Sequence, residues 1–236
     1  MFPFLALVAF VVVAVTVLLY QHKKEQQRRE QLALFAMSKG WTFEPVDARG
    51  LAERWSDAPF GQGHSRKASN VFTGTIGGRP MIAFDYRYKI TTSNGKSSST
   101  RTYHFGVSVI GLPAYLPRLD VLPENVLTRF GNALGLDDVE LESEDFNRAF
   151  RVGGAPKFAH DVLTPRVMEL LLRGGCPSLR ITGTEIMGWD DERSDPGELI
   201  ARVETLSQLV AAVPSFVWKD HGYDPGQDTT APGGAP

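Results

Sequence analysis

Hydrophobic and polar positions follow three different rhythms along this chain. From Phe2 to Tyr20 there is no rhythm at all: the run carries no charge, and only Thr16 is markedly polar. At 1.5 Å per residue, nineteen such residues reach about 28 Å, close to the roughly 30 Å of a bilayer core. All-round hydrophobicity without a polar stripe fits lipid better than a buried core helix. No basic side chain precedes the run and no Ala-x-Ala site follows it, which disfavours a cleaved leader. The run also lacks the early cysteine that a lipoprotein anchor requires. Residues 1–20 are therefore expected to be an uncleaved transmembrane anchor. Residues 21–40 continue as a charged, Gln-rich juxtamembrane helix with Leu32, Leu34, Phe35, Ala36 and Met37, and Gly40 is a natural stop.

The second rhythm has period two. Val71–Ile76 reads as a strand after a loop over 59–70, and Gly77-Gly78 turns the chain. In Met81–Ile90, Ile82, Phe84, Tyr86, Tyr88 and Ile90 face one way, and Ala83, Asp85, Arg87 and Lys89 the other. That alternation puts Asp85 on the wet face. A polar link with Asn94-Gly95 favours a tight turn. Thr102–Leu112 then returns with Tyr103, Phe105, Val107 and Val109 on one face. Leu116–Leu122 adds a separate strand, Phe146–Val152 reads as extended, and Leu179–Gly183 with Thr184–Trp189 reads as a hairpin.

The third rhythm is helical. Asp47 can cap a helix of about two turns carrying Leu51, Ala52 and Trp55. Pro123 opens a helix over 124–134 with Val126, Leu127, Phe130 and Leu134 inward. Thr164-Pro165 offers a hydroxyl cap followed by proline at the first helical position. Leu199, Ile200, Val203, Leu206, Leu209 and Val210 form an amphipathic helix from about Pro196 to Val213. Residues 221–236 have the composition of a disordered tail. Strands come first as a meander and helices later, so residues 41–220 are expected to form a single α+β domain with an antiparallel sheet.

Charge adds orientation. Lys23, Lys24, Arg28 and Arg29 sit just past the apolar run and no Lys or Arg sits before it. The positive-inside rule then places the domain in the cytoplasm and the N-terminus outside. The chain's net charge is −2, residues 1–40 carry +3, and the remainder is mildly acidic. That balance argues against a general nucleic-acid binder, and the mildly acidic remainder is expected to stay off an anionic membrane surface. A single cysteine, Cys176, excludes an internal disulfide.

The segments Gly-Trp-Thr-Phe-Glu-Pro45, Asn70-Val-Phe-Thr-Gly-Thr, Ala83-Phe-Asp-Tyr-Arg-Tyr88, Glu142–Val152, Leu163–Leu171 and Val213–Trp218 resemble a family of uncharacterised single-pass actinobacterial membrane proteins, a domain of unknown function. The resemblance covers nearly the whole chain apart from the tail. It implies an anchor and one cytoplasmic domain, and it carries no site residues.

Candidate chemistry is sparse. Gly61-Gln-Gly63-His-Ser-Arg66-Lys67 has the wrong spacing for a P-loop, and a strand follows it, leaving Arg66 and Lys67 as weak anion-binding candidates. Cys176 has no base near it in sequence; His104 and His160 are distant. His22, His64, His104, His160 and His221 form no zinc spacing, and the acidic run 137–145 lacks a calcium-loop pattern. No catalytic residue, metal or cofactor is assigned. The expected function is a non-enzymatic binding, scaffold or sensor module. Its partners are the lipid bilayer, through the N-terminal helix, and a protein, with no nucleic acid. The alternative is a membrane-bound enzyme, a hydrolase for example, with a site assembled from scattered residues.

Overall fold

A computed structural model of the chain describes residues 2–95, 97–124, 126, 139–174, 176–191 and 195–226, without the side chains of residues 2–9 and 11. Helix α1 (Phe2–Ser38) is continuous and ends at Gly40, whose φ of 68° lets the chain turn back. Then come β1 (Thr42–Val46), a 3-10 turn (Leu51–Glu53), β2 (His64–Ile76), β3 (Arg79–Ser93) and β4 (Ser98–Pro123). The chain continues with α2 (Glu144–Ala149), β5 (Phe150–Gly154), α3 (Pro156–Val162), α4 (Pro165–Leu172), β6 (Ser178–Asp190), α5 (Pro196–Ala212) and α6 (Ser215–Asp220). The helix expected over 124–134 falls almost wholly outside the described residues, as do residues 227–236.

The sheet is antiparallel and six-stranded, in the order β1-β2-β3-β4-β5, with β6 also paired to β4. This is the expected α+β meander with helices added. Each face of the sheet has its own core. One face presents Phe84, Tyr86, Tyr88, Phe105, Val107 and Trp189, roofed by Leu51, Ala58 and Phe60. The other presents Phe72, Met81, Ala83, Ile110 and Ile186 beneath α1, α4 and α5. β1 is an edge strand, and Pro45 blunts it by removing a donor.

Several expected boundaries move, each for a local reason. β2 starts at His64 instead of Val71: bulges interrupt its register with β3, with Ser65 and Asn70 at φ 54° and 52°, so its sequence does not alternate. Leu116–Leu122 is the second half of one long β4, beyond an irregularity at Gly111–Leu119. The hairpin read at Gly183 is the single strand β6, in which Gly183 at φ 59° bulges without reversing the chain. Phe146–Ala149 is helical because the Ser143 hydroxyl accepts the Phe146 N–H at 3.3 Å. The helix after Asp47 is one short 3-10 turn. Asp47 still accepts the N–H groups of Arg49 and Leu51, at 2.9 and 2.7 Å.

Asp85 is not on a wet face. Alternation places it correctly beside Arg87, but α1 covers the sheet there and leaves Asp85 only 7% exposed. Arg28 and Asn70 donate to the same Asp85 oxygen at 3.0 and 2.8 Å. Leu32 and Ala36 are buried one and two turns further along the helix, and Phe35 packs edge-on against Trp41 and Phe72. The second half of α1 is thus part of the domain. From Phe10 to Tyr20 the described side chains are exposed, Ala14 being half-buried. Residues 1–9 and 11 of the expected span fall among the side chains not described. Among the described residues no helix is long and apolar enough to cross a membrane.

Candidate functional site

A cavity of about 510 Å³ opens where α4, α5, the start of β5 and the two ends of β6 meet. Ala149, Phe150, Leu171, Leu172 and Pro177 give it apolar walls. Asp190, Glu198 and Arg202 supply its ionisable lining among the described residues. Each group is there for a structural reason. Pro123 ends β4 in register with Phe150 of β5, which fixes one wall. Asp195 caps α5 with a complete capping box, its carboxylate accepting the Glu198 N–H at 2.9 Å. That cap sets the angle at which Glu198, Ala201 and Arg202 enter the cavity.

Arg202 is the unusual member. Its side chain is 2% exposed and its Nη2 lies 3.7 Å from Asp190 Oδ2. Burial lowers its pKa from the ordinary arginine value, and the charges of Asp190 and Glu198 oppose that shift. Behind it, Cys176 lies so close to Gly188 that a Cβ there would sit 2.4 Å from the Cys176 sulfur. Cys176 is 1% exposed and donates to the Ser178 carbonyl at 3.3 Å. Burial pushes its thiol up to about 12, the Arg202 charge pulling the other way. At neutral pH it is a protonated thiol with no solvent access, the opposite of what a nucleophile needs.

A second buried charge cluster lies at the other side of the sheet. Asp120, fully buried, accepts Arg180 Nε at 2.6 Å and Arg118 Nε at 2.7 Å. Arg180 also donates to the Ala58 carbonyl at 2.9 Å and lies over the Trp189 ring, and Arg118 reaches Asp57 at 2.7 Å. These bonds tie the 57–60 segment onto β4 and β6 as a roof. The cluster reads as architecture.

The residues singled out from sequence do not converge. Arg66 is held by Glu53 at 2.6 Å and by the Gly61 carbonyl at 2.8 Å. Lys67 is exposed on the opposite face, across from Arg87. His104 stands opposite Arg87 on β4, and His160 is exposed on α3, where its neighbour Asp161 pairs with Lys157 at 2.6 Å. Asp137 and Asp138 lie outside the described residues; Glu140, Glu142, Glu144 and Asp145 are exposed, and no cluster of metal-ligating side chains occurs among the described residues. Sequence reading missed Arg202, although a signal was present. Arg202 falls three residues after Leu199 and four before Leu206, on the apolar stripe of α5, where a charge needs a reason.

No family model matches the chain, and no curated protein does. Among solved structures, the fold is similar to the crystal structure of the mycobacterial trehalose monomycolate transport factor A, TtfA, with a TM-score of 0.53 at 14% identity. The match covers 79% of this chain and 96% of that one. At this identity the likeness is one of fold.

Proposed function

We propose that the chain is a membrane-tethered, non-enzymatic accessory protein whose α4–α5 cavity takes the apolar part of an amphiphile. The reading rests on the cavity itself: apolar walls, one charged end, and a volume inside the roughly 300–1,000 Å³ range of small-molecule sites. Its nearest thiol is buried and protonated, which favours binding over covalent chemistry. The anchor is supported by the exposed apolar side chains of α1 between Phe10 and Tyr20, among them Phe10, Val12, Val13, Val15, Val17, Leu18 and Leu19. The basic cluster after Tyr20 favours a cytoplasmic domain. The protein of similar fold is named a trehalose monomycolate transport factor, and an accessory role at a membrane is consistent with that likeness.

The test uses the full chain in lipid nanodiscs with a fluorescent undecanoic acid as probe, empty discs serving as background. Saturable binding above background is expected. Ala201→Trp, which fills the cavity from α5, should weaken it at least about tenfold, the equivalent of 1.4 kcal/mol. Binding that ignores Ala201→Trp, in a protein whose melting is unchanged, contradicts the proposal.

A further inference from the structure

The mildly acidic average of the domain hides a segregation of charge. Residues 58–119, which hold β2, β3 and most of β4, contain eight basic residues and one acid, Asp85. Residues 120–236 contain twenty acidic and ten basic residues. The acid on the basic side is neutralised by Arg28 of α1. Between Asp85 and Asp120 the sequence has no acidic residue at all.

The register gathers these cations at one end of the sheet. Lys67 stands opposite Arg87, Lys89 opposite Thr102, and Ile90 opposite Arg101. Among the described residues none of Lys67, Arg87, Lys89 and Arg101 forms an ion pair, unlike Arg49, Arg54, Arg66 and Arg118 elsewhere in the domain. Tyr103 and Tyr88 stack at 5.1 Å on the opposite face, Arg101 lies over the Tyr103 ring, and Ile90 is 37% exposed beside them. Beyond these come Thr91–Ser93 and Ser97–Thr100, small, exposed and hydroxylated. Cations, a tyrosine and small hydroxyl side chains are what a headgroup layer solvates well.

The course of α1 aims this end at the bilayer. Trp41, just past the helix, packs on Gly74, Phe35 packs on Phe72, and Arg28 reaches Asp85. Followed back toward its N-terminus, the helix therefore runs over the sheet toward the β3–β4 turn. From the Arg28–Asp85 pair, Tyr20 is about 12 Å along the helix, and Ser93 is about 26 Å along the strand. The turn reaches the depth of Tyr20 for any helix–strand angle below about 60°.

We infer that the β3–β4 hairpin end, with Lys67, Arg87, Lys89 and Arg101, is a second membrane contact that sits on anionic phospholipid headgroups. With α1, it gives the domain two points of attachment and so one orientation over the bilayer. This inference rests on the anchor proposed above.

The experiment again uses the full chain in nanodiscs, of phosphatidylcholine alone or with phosphatidylglycerol added, each containing a lipid with a nitroxide headgroup. A fluorophore is placed at Ser97→Cys on the turn or, as control, at Thr75→Cys at the opposite end of β2; native Cys176 is buried and stays unlabelled. The Ser97 label should be quenched, several-fold more in the anionic discs and less at high salt, and the Thr75 label should not. Arg87→Glu combined with Lys89→Glu and Arg101→Glu should erase the lipid dependence. A Ser97 label no nearer the lipid than the Thr75 label, or equally quenched in both discs, overturns the inference. So does a label that responds to an added oligonucleotide and not to lipid. Carbonate extraction separates the two ideas. A chain that resists extraction while Ser97 stays silent keeps the anchor and loses the surface. A chain that washes off, yet shows salt-sensitive Ser97 quenching on added anionic vesicles, keeps the surface and loses the anchor.

Discussion

Cys176 and Arg202 are adjacent buried groups that sequence reading treats very differently. A lone cysteine is most often buried, and that expectation needs no structure. Arg202 needed one, because only the packing of α4 and β6 against α5 tells whether its head is in water. Asp85 is the converse case: strand alternation assigns its face, but not that a helix from sixty residues away covers that face. The buried thiol has a consequence for pH. Its folded pKa of about 12 lies above its ordinary value of 9.0, so between those values the unfolded chain is ionised while the folded chain keeps its proton. Stability contributed by the thiol is full below about pH 9 and is lost as pH rises through that window. Tyr86, also raised by burial from 10.0 to about 12, acts with the same sign from about pH 10 upward. Denaturant melts at pH 8 and pH 10 should show the wild type losing more stability than Cys176→Ala over that step. Equal losses would mean that the thiol is not buried as described.

At the scale of elements, caps separate what residue type suggests from what geometry delivers. Thr164-Pro165 and Asp195-Pro196 look equivalent in sequence, both offering an oxygen before a proline. Thr164 makes no side-chain cap bond, whereas Asp195 forms the full capping box with Glu198. Thr164→Ala should therefore leave stability nearly unchanged, and Asp195→Ala should cost about 1 kcal/mol. In α4, Leu171 is 2% exposed while Leu170 is only partly buried. Leu171→Ala should cost about 2–5 kcal/mol, and Leu170→Ala less. Urea melts of the four variants check the order; a Thr164→Ala loss as large as that of Asp195→Ala would refute it. The elements legible in sequence were those with unbroken periodicity: β3, the first half of β4, α4 and α5. Those that escaped share a cause. In β2 and β6 a bulge resets the alternation, and a bulged strand has the sequence of two short pieces with a turn between them. For α2, a serine cap outweighed the extended look of Phe146–Val152.

At the scale of the whole molecule, α1 joins two regimes. Its described side chains from Phe10 to Tyr20 are mostly apolar and exposed, and its second half is packed into the core through Leu32 and Ala36. A helix fixed to the sheet in this way has a set direction relative to the domain. Cavity and basic hairpin end were beyond sequence reading because both are assembled from residues far apart in the chain, Phe150 with Arg202 and Lys67 with Arg87. The central claim is that the domain binds an amphiphile through the α4–α5 cavity while held at a membrane. The most direct measurement places a photoreactive amino acid at Leu172, on the cavity's partly exposed wall, in the full chain in native membranes, and reads adducts by mass spectrometry after illumination. The account predicts a lipid-class adduct at Leu172 that is absent from the same probe at Thr75 and is lost with Ala201→Trp. Equal labelling at Leu172 and Thr75, or no small-molecule adduct at Leu172, would contradict it.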